Sequence, residues 1–218
     1  MKNIFCCFTL VGLVWSQSAG MFANSGESLI SIEGQYDSED FDGGSLTTTS
    51  VGGVYVLNGN LEIGVNYDMG QATYDNNYLP DTDIDGLSFG GYYHMKENET
   101  LPFSVKIGGW YGTAQASADW LDDAGLEIET NASGIGGGVY KTIYQKDAMT
   151  IMGFFNFQSI TTEATISDSY DSIKEDDEYN STSFGLAVRN GNLFIKPSIG
   201  RVDGESKFNI TFGFLLPQ

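Results

Sequence analysis

The sequence predicts an all-β chain closed into an antiparallel, up-and-down transmembrane β-barrel of about ten strands, with eight as the alternative count. Three observations lead there. Strand-like segments alternate apolar residues with small polar ones at a period of two, as a pleated strand between two different environments requires. Short connections at Asn58-Gly59-Asn60, Gln145-Lys146-Asp147 and Asn190-Gly191-Asn192 take turns with longer acidic ones such as Asp168 to Glu178. Transmembrane barrels have this layout, with tight turns at one rim and longer loops at the other. Finally, a charged Met1-Lys2-Asn3, an apolar run from Ile4 to Trp15 and the small residues Ser18-Ala19-Gly20 read as a secretory leader, too short to span a membrane as a helix.

The leader is expected over residues 1–23, with cleavage after Gly20 or after Ala23, leaving residues 24–218 as one barrel domain. Cys6 and Cys7 do not stand at the end of the apolar run, where a lipid-anchor cysteine belongs, and no lipid anchor is expected. Both leave with the leader, which excludes a disulfide framework and a thiolate metal site. The first strand is read at Glu27–Asp37. The second, Ser45–Leu57, has faces blurred by glycine. The third, Leu61–Tyr74, sets Leu61, Ile63, Val65, Tyr67 and Met69 against Glu62, Gly64, Asn66 and Asp68. The fourth, Asp83–Lys96, opposes Leu87, Phe89, Gly91, Tyr93 and Met95 to Ser88, Gly90, Tyr92 and His94. The fifth is Pro102–Ala118, and the sixth, Leu126–Tyr144, is again glycine-blurred. In the seventh, Ala148–Ile166, Met152 and Phe154 fall on the face that should be polar. The eighth, Tyr179–Arg189, and ninth, Leu193–Val202, alternate cleanly. The last, Lys207–Leu216, sets Phe208, Ile210, Phe212, Phe214 and Leu216 against Asn209, Thr211 and Gly213.

With 28 Gly, 4 Pro and many aromatics the composition is β-rich. Without Lys2, 9 basic residues face 29 acidic ones, a net charge of −20. Such a chain is repelled by phosphate backbones, so nucleic-acid binding is excluded. A soluble, secreted sandwich or barrel also alternates, but its polar face meets water and normally carries many charges. Here that face is mostly Gly, Ser, Asn and Thr, which suits a narrow lumen filled by side chains.

The chain resembles the small outer-membrane β-barrel proteins of Gram-negative bacteria, the opacity and OmpA-like membrane-domain group, over residues 27 to 216. The carriers are the leader, the alternation of turns, glycine-rich aromatic strands such as Phe89-Gly90-Gly91-Tyr92-Tyr93, and the closing Phe208-Asn209-Ile210-Thr211-Phe212-Gly213-Phe214. One departure stands out: such barrels commonly end on an aromatic residue read by the assembly machinery, whereas this chain continues through Leu215-Leu216-Pro217-Gln218. The resemblance implies outer-membrane lipids and the barrel-assembly machinery as partners. It does not imply peptidoglycan binding, since no periplasmic domain follows the last strand. With ten strands both termini face the periplasm. The outer connections, Asp37–Gly44, Asp75–Asp85, Asp119–Glu129, Glu163–Glu178 and Asp203–Lys207, then hold 22 of the 29 acids against Lys174 and Lys207. These acidic loops suit divalent cations as partners. Asp81, Asp83 and Asp85 begin like a calcium loop; the closing Glu position is Tyr92, so an EF-hand fails, and the three are kept only as a weak Ca²⁺ candidate beside the reading of a polar loop entering a strand.

His94, the sole histidine, lies near the inner end of its strand, away from the rim where a surface hydrolase would place it. Neither an enzyme nor a cofactor is expected, and Gly136-Gly137-Gly138 lacks the helix and Lys-Ser/Thr of a phosphate loop. Tyr55, Tyr67, Tyr93, Tyr111, Trp120 and Phe214 are expected in two interfacial girdles. Glu62, Asp68, Lys106, Arg189 and Lys196 take lumen-facing phases and must pair, because an isolated buried ion is costly. They are expected to form a charge network that plugs the lumen. The expected role is therefore structural or surface contact by a largely closed barrel. A small porin-like channel lined by the same charges, and a soluble secreted β-barrel or sandwich, are the alternatives. Partner, solute and oligomeric state are not legible.

Overall fold

A computed structural model describes residues 18–41, 43–75, 80–168 and 170–217. The charged start and apolar run of the expected leader lie outside the described residues. Ten strands follow one another: β1 (Leu29–Phe41), β2 (Gly44–Leu57), β3 (Leu61–Tyr74), β4 (Thr82–Met95), β5 (Ser104–Ser117), β6 (Glu127–Lys146), β7 (Met149–Ser167), β8 (Ser172–Asn190), β9 (Leu193–Val202) and β10 (Glu205–Pro217). Each is antiparallel to its sequence neighbour, and β1 pairs with β10 from Leu29↔Pro217 to Glu39↔Lys207. The barrel is therefore closed and leaves no open edge around its wall.

An even strand count puts the start of β1, the end of β10 and the turns at Asn58-Gly59, Asp147 and Gly191 at one rim, called here the turn end. The opposite rim is the loop end. Asn58-Gly59 and Asp203-Gly204 have φ of 52° and 72°, and 46° and 92°. Positive φ at both central residues is what a tight hairpin between right-twisted strands requires, and Asn-Gly and Asp-Gly adopt it readily.

Several expected loops prove to be strand. β1 runs on to Phe41 and β10 starts at Glu205, so the connections expected at Asp37–Gly44 and Asp203–Lys207 shrink to residues 42–43 and 203–204. Continued cross-strand pairing satisfies the backbone there, which outweighs the poor strand propensity of the acids. The connection expected at Glu163–Glu178 is instead the end of a hairpin formed by β7 and β8, with its turn at residues 168–171. β6, β7 and β8 have 20, 19 and 19 residues, against ~9–11 needed to cross a bilayer. The surplus of β7 and β8 projects at the loop end, beyond the Ser181↔Val202 pair of β8 and β9, whereas β6 runs past the start of β5 at the turn end, beyond Ser104↔Tyr140. A helix, α2 (Asp119–Ala124), interrupts the β5–β6 connection, with Leu121 packed on Ile128 and Gly125 ending it at φ 63°.

The two faces of the wall are inverted relative to a soluble protein. Ile32, Val65, Phe89, Ile107, Ile135, Phe184 and Ile199 point outward and are 48–72% exposed, while Glu33, Glu62, His94, Lys106 and Lys196 point inward and are buried. Soluble monomers rarely expose contiguous apolar surface of this kind.

Candidate functional site

The inward residues form three layers. At the loop end, Phe41, Leu46, Ile84, Trp110, Ile160 and Tyr179 are among the residues of an apolar layer. The middle is polar and charged. At the turn end, Val54, Val56, Tyr140, Met152, Phe154 and Phe194 make a second apolar layer, within which lies the short helix α1 (Ala19–Phe22). The inward phase of Met152 and Phe154 is thereby explained: both pack in this layer rather than against water.

In the middle, β1 and β10 bring Asp37, Glu39 and Lys207 together. Lys207 Nζ lies 3.3 Å from Asp37 Oδ1 and 3.3 Å from Glu39 Oε2, and Asn209 Nδ2 donates to Asp37 at 2.9 Å. Asp68 accepts from the Ser50 hydroxyl and, at 3.1 Å, from that of Ser88. Nearer the turn end, Glu33 accepts from Ser31 at 2.7 Å and from the Ala19 backbone N–H at 3.2 Å. Glu62 accepts from the Gly20 N–H and lies 3.5 Å from His94 Nε2, and His94 Nδ1 bonds the Tyr140 hydroxyl at 3.0 Å. Lys106 and Lys196 set their ammonium groups 4.9 Å from the Tyr92 ring centre and 5.3 Å from that of Phe154. Gln158 links Trp110 to the Tyr92 hydroxyl at 3.4 and 3.1 Å.

Of the five lumen charges read from the sequence, Glu62, Lys106 and Lys196 share one region, while Asp68 stands apart on its serines. Arg189 sits at the turn rim, half-buried, donating to the carbonyls of Gly191 at 2.7 Å and Phe22 at 3.1 Å. Glu33, Asp37, Glu39 and Lys207 were missed as lumen groups. Their signal was available: in β1 the outward Ile30, Ile32 and Tyr36 fix the opposite phase, on which Glu33, Asp37 and Glu39 fall. Reading Asp37 as the start of a loop hid them.

Asp83 and Asp85 lie in β4 and point outward, accepting from Gln71 Nε2 at 3.0 Å and Tyr67 Oη at 2.9 Å, and Asp81 is exposed just before the strand. A strand spreads alternate carboxylates along a line instead of converging them as a loop does. Among the described residues no group of three or more His, Cys, Asp or Glu is placed to hold a metal. Trp120, expected in a girdle, is on α2 and donates to Thr82 Oγ1 at 3.4 Å. Tyr67, Tyr93, Tyr111 and Phe214 are on the outer wall.

At the loop end the β7–β8 tip is held by Asp168, which accepts the N–H groups of Tyr170 and Asp171 at 2.7 and 2.8 Å. These donors hold its carboxyl below the usual range. Glu175, Asp176, Asp177 and Glu178 are all exposed on the projecting part of β8. Two internal spaces matter: a cavity of about 490 Å³ at the turn end, lined by Met21, Lys96, Tyr140, Met152 and Arg189 among others, and a void of about 30 Å³ in the middle, lined by Lys106, Gln158, Ser198 and Lys207 among others.

No protein-family model matches the chain, and no curated protein matches it significantly. Solved structures do. The beta domain of the Bordetella autotransporter Brka aligns with TM-score 0.51 and 9% identity, over 88% of this chain and all of that one. The translocator domain of the autotransporter NalP from Neisseria meningitidis aligns with TM-score 0.49 and 12% identity, over 99% and 94%. The N-terminal β-barrel domain of Pseudomonas aeruginosa OprF gives 0.32 and 15%, over 85% and 97%. The likeness is one of fold, and the fold is that of Gram-negative outer-membrane β-barrels.

Proposed function

We propose that this chain is an outer-membrane β-barrel whose lumen is closed by its own side chains and whose acidic loop end faces outward, serving envelope structure or surface contact. The observation that carries the reading is the pairing of an apolar belt outside with a charged layer inside, where the void lined by Lys106, Gln158, Ser198 and Lys207 is only about 30 Å³, room for a water or two. The autotransporter domains named above are similar in fold only, and a passenger-carrying role is not drawn from them. The start of β1 and the end of β10 lie at the turn end, which is assigned to the periplasm. The exposed acids of the β7–β8 hairpin are then at the cell surface, where divalent cations or basic partners are the matching chemistry. Catalysis is not part of the proposal: His94 is enclosed between Glu62 and Tyr140, far from the loop end.

The second reading, a small channel, is favoured by the cavity of about 490 Å³ at the turn end, which would be its inner vestibule. Planar-bilayer recording of the purified barrel separates the two. The closed-barrel reading expects no steady conductance. Steady openings abolished by Lys106→Ala or Lys196→Ala would establish the channel in its place.

A further inference from the structure

Residues 18–23 lie inside the barrel, and what holds them is built from residues spread around most of its wall. Ser18, Ala19, Met21, Phe22 and Ala23 are each at most 4% exposed. The Phe22 ring packs 5.2 Å from that of Phe194 in the turn-end apolar layer. That layer breaks the polar pattern of the lumen where this segment rests, so the inward Met152 and Phe154 have an occupant to cover. Polar anchors complete the seat. The Ala19 N–H donates to Glu33, the Gly20 N–H to Glu62, Lys96 Nζ to the Gly20 carbonyl and Arg189 to the Phe22 carbonyl. A Cβ on Gly20 would press against Glu62 Oε2 and His94 Nε2, so a larger residue there must displace one of these side chains or the segment itself.

Cleavage after Gly20 or after Ala23 would in either case discard Ala19 and Gly20 and leave Glu33 and Glu62 without these backbone donors. We propose that the leader is removed after Ser18, so that the mature chain begins at Ala19 and its new α-ammonium is held inside the lumen against the Glu33 carboxylate. The small residues Ser16 and Ser18 occupy the two positions that a leader peptidase reads before the cut bond. Hydrolysis of the Ser18–Ala19 amide by water leaves the Ser18 carboxylate on the leader and turns the Ala19 N–H, 3.2 Å from Glu33 Oε1, into an ammonium. Among the described residues the fully enclosed charges are Glu33, Asp37, Glu39, Glu62 and Asp68 against Lys106, Lys196 and Lys207, so an added cation reduces an acidic excess. Because the bond is buried in the folded barrel, cleavage precedes folding. Residues 19–23 then act as an internal plug tied in by the terminus itself.

This inference rests on the outer-membrane reading above. Its test is intact-mass and N-terminal analysis of the protein extracted from outer membranes, combined with amine labelling. The expected species begins at Ala19, and its α-amine reacts at least about tenfold more slowly with an N-hydroxysuccinimide ester when folded than after boiling, since reaction awaits local opening. Gly20→Val is expected to expel the segment and abolish that protection while the barrel persists. A membrane-extracted barrel starting at Met21 or Asn24, or one with an equally reactive folded terminus, overturns the inference alone. A soluble protein overturns the reading beneath it as well.

Discussion

Replacing Lys207 with methionine removes the cation that bridges Asp37 and Glu39. Both carboxylates lie 3.3 Å from its ammonium, and all three side chains are at most 4% exposed. Methionine fills nearly the same volume, so the loss is of charge rather than packing. Removing one partner of a buried ion pair costs about 3–5 kcal/mol, because the remaining charge is left uncompensated. Asp37 keeps the Asn209 amide at 2.9 Å, which places the expectation at the lower end, about 3 kcal/mol, or roughly a hundredfold in the unfolding constant. Urea unfolding of the protein refolded into phospholipid vesicles, followed by tryptophan fluorescence with Trp110 inside the lumen, reads this directly. Adding Asp37→Asn and Glu39→Gln to Lys207→Met should return stability to within about 1 kcal/mol of the parent, since no unpaired charge then remains. A Lys207→Met single variant within about 0.5 kcal/mol of the parent would refute the reasoning, because it would mean that the lumen is wet enough to solvate both carboxylates.

Phe89→Lys, in the middle of β4 on the outer wall, should cost about 2–4 kcal/mol in the same vesicle assay, whereas Ile173→Lys on the projecting part of β8 should cost little; equal costs would contradict the membrane placement. Lys174→Ala breaks an exposed 2.9 Å pair with Glu163 and should change stability by less than about 1 kcal/mol, measured as the urea midpoint. Lys96, beyond the end of β4, is pushed by burial down to about 8, with Glu62 and Glu27 opposing. Its folded pKa lies below the unfolded value of ~10.4, so the folded state gives up the proton first and stability should rise as pH climbs from about 8 to about 10. That rise should be missing from Lys96→Met when urea midpoints are compared across the window.

The wall of the barrel was legible because period two is a strong signal wherever lipid and lumen differ sharply. Leu61 to Met69 and Phe208 to Leu216 face as read. Acidic composition misled the boundaries. Asp37, Glu39 and Lys207 look like loop residues until cross-strand pairing puts them inside, where their charges satisfy one another. The lumen partners could not be read from one strand at a time, because Lys207 meets Asp37 only once the first and last strands close the sheet. Met152 and Phe154 broke the pattern for a reason held elsewhere in the chain, in residues 18–23 read as departing with the leader. The carboxylates of Asp81, Asp83 and Asp85 looked convergent in sequence and were dispersed by continuing β4 through them.

The central claim is a closed barrel in the outer membrane. Electrophoresis of the detergent-extracted outer-membrane fraction, boiled against unboiled, tests it most directly. The account predicts that the protein is in that fraction and that the unboiled sample runs faster as a compact, detergent-resistant barrel. A protein recovered in the soluble fraction, with one mobility before and after boiling, would contradict it.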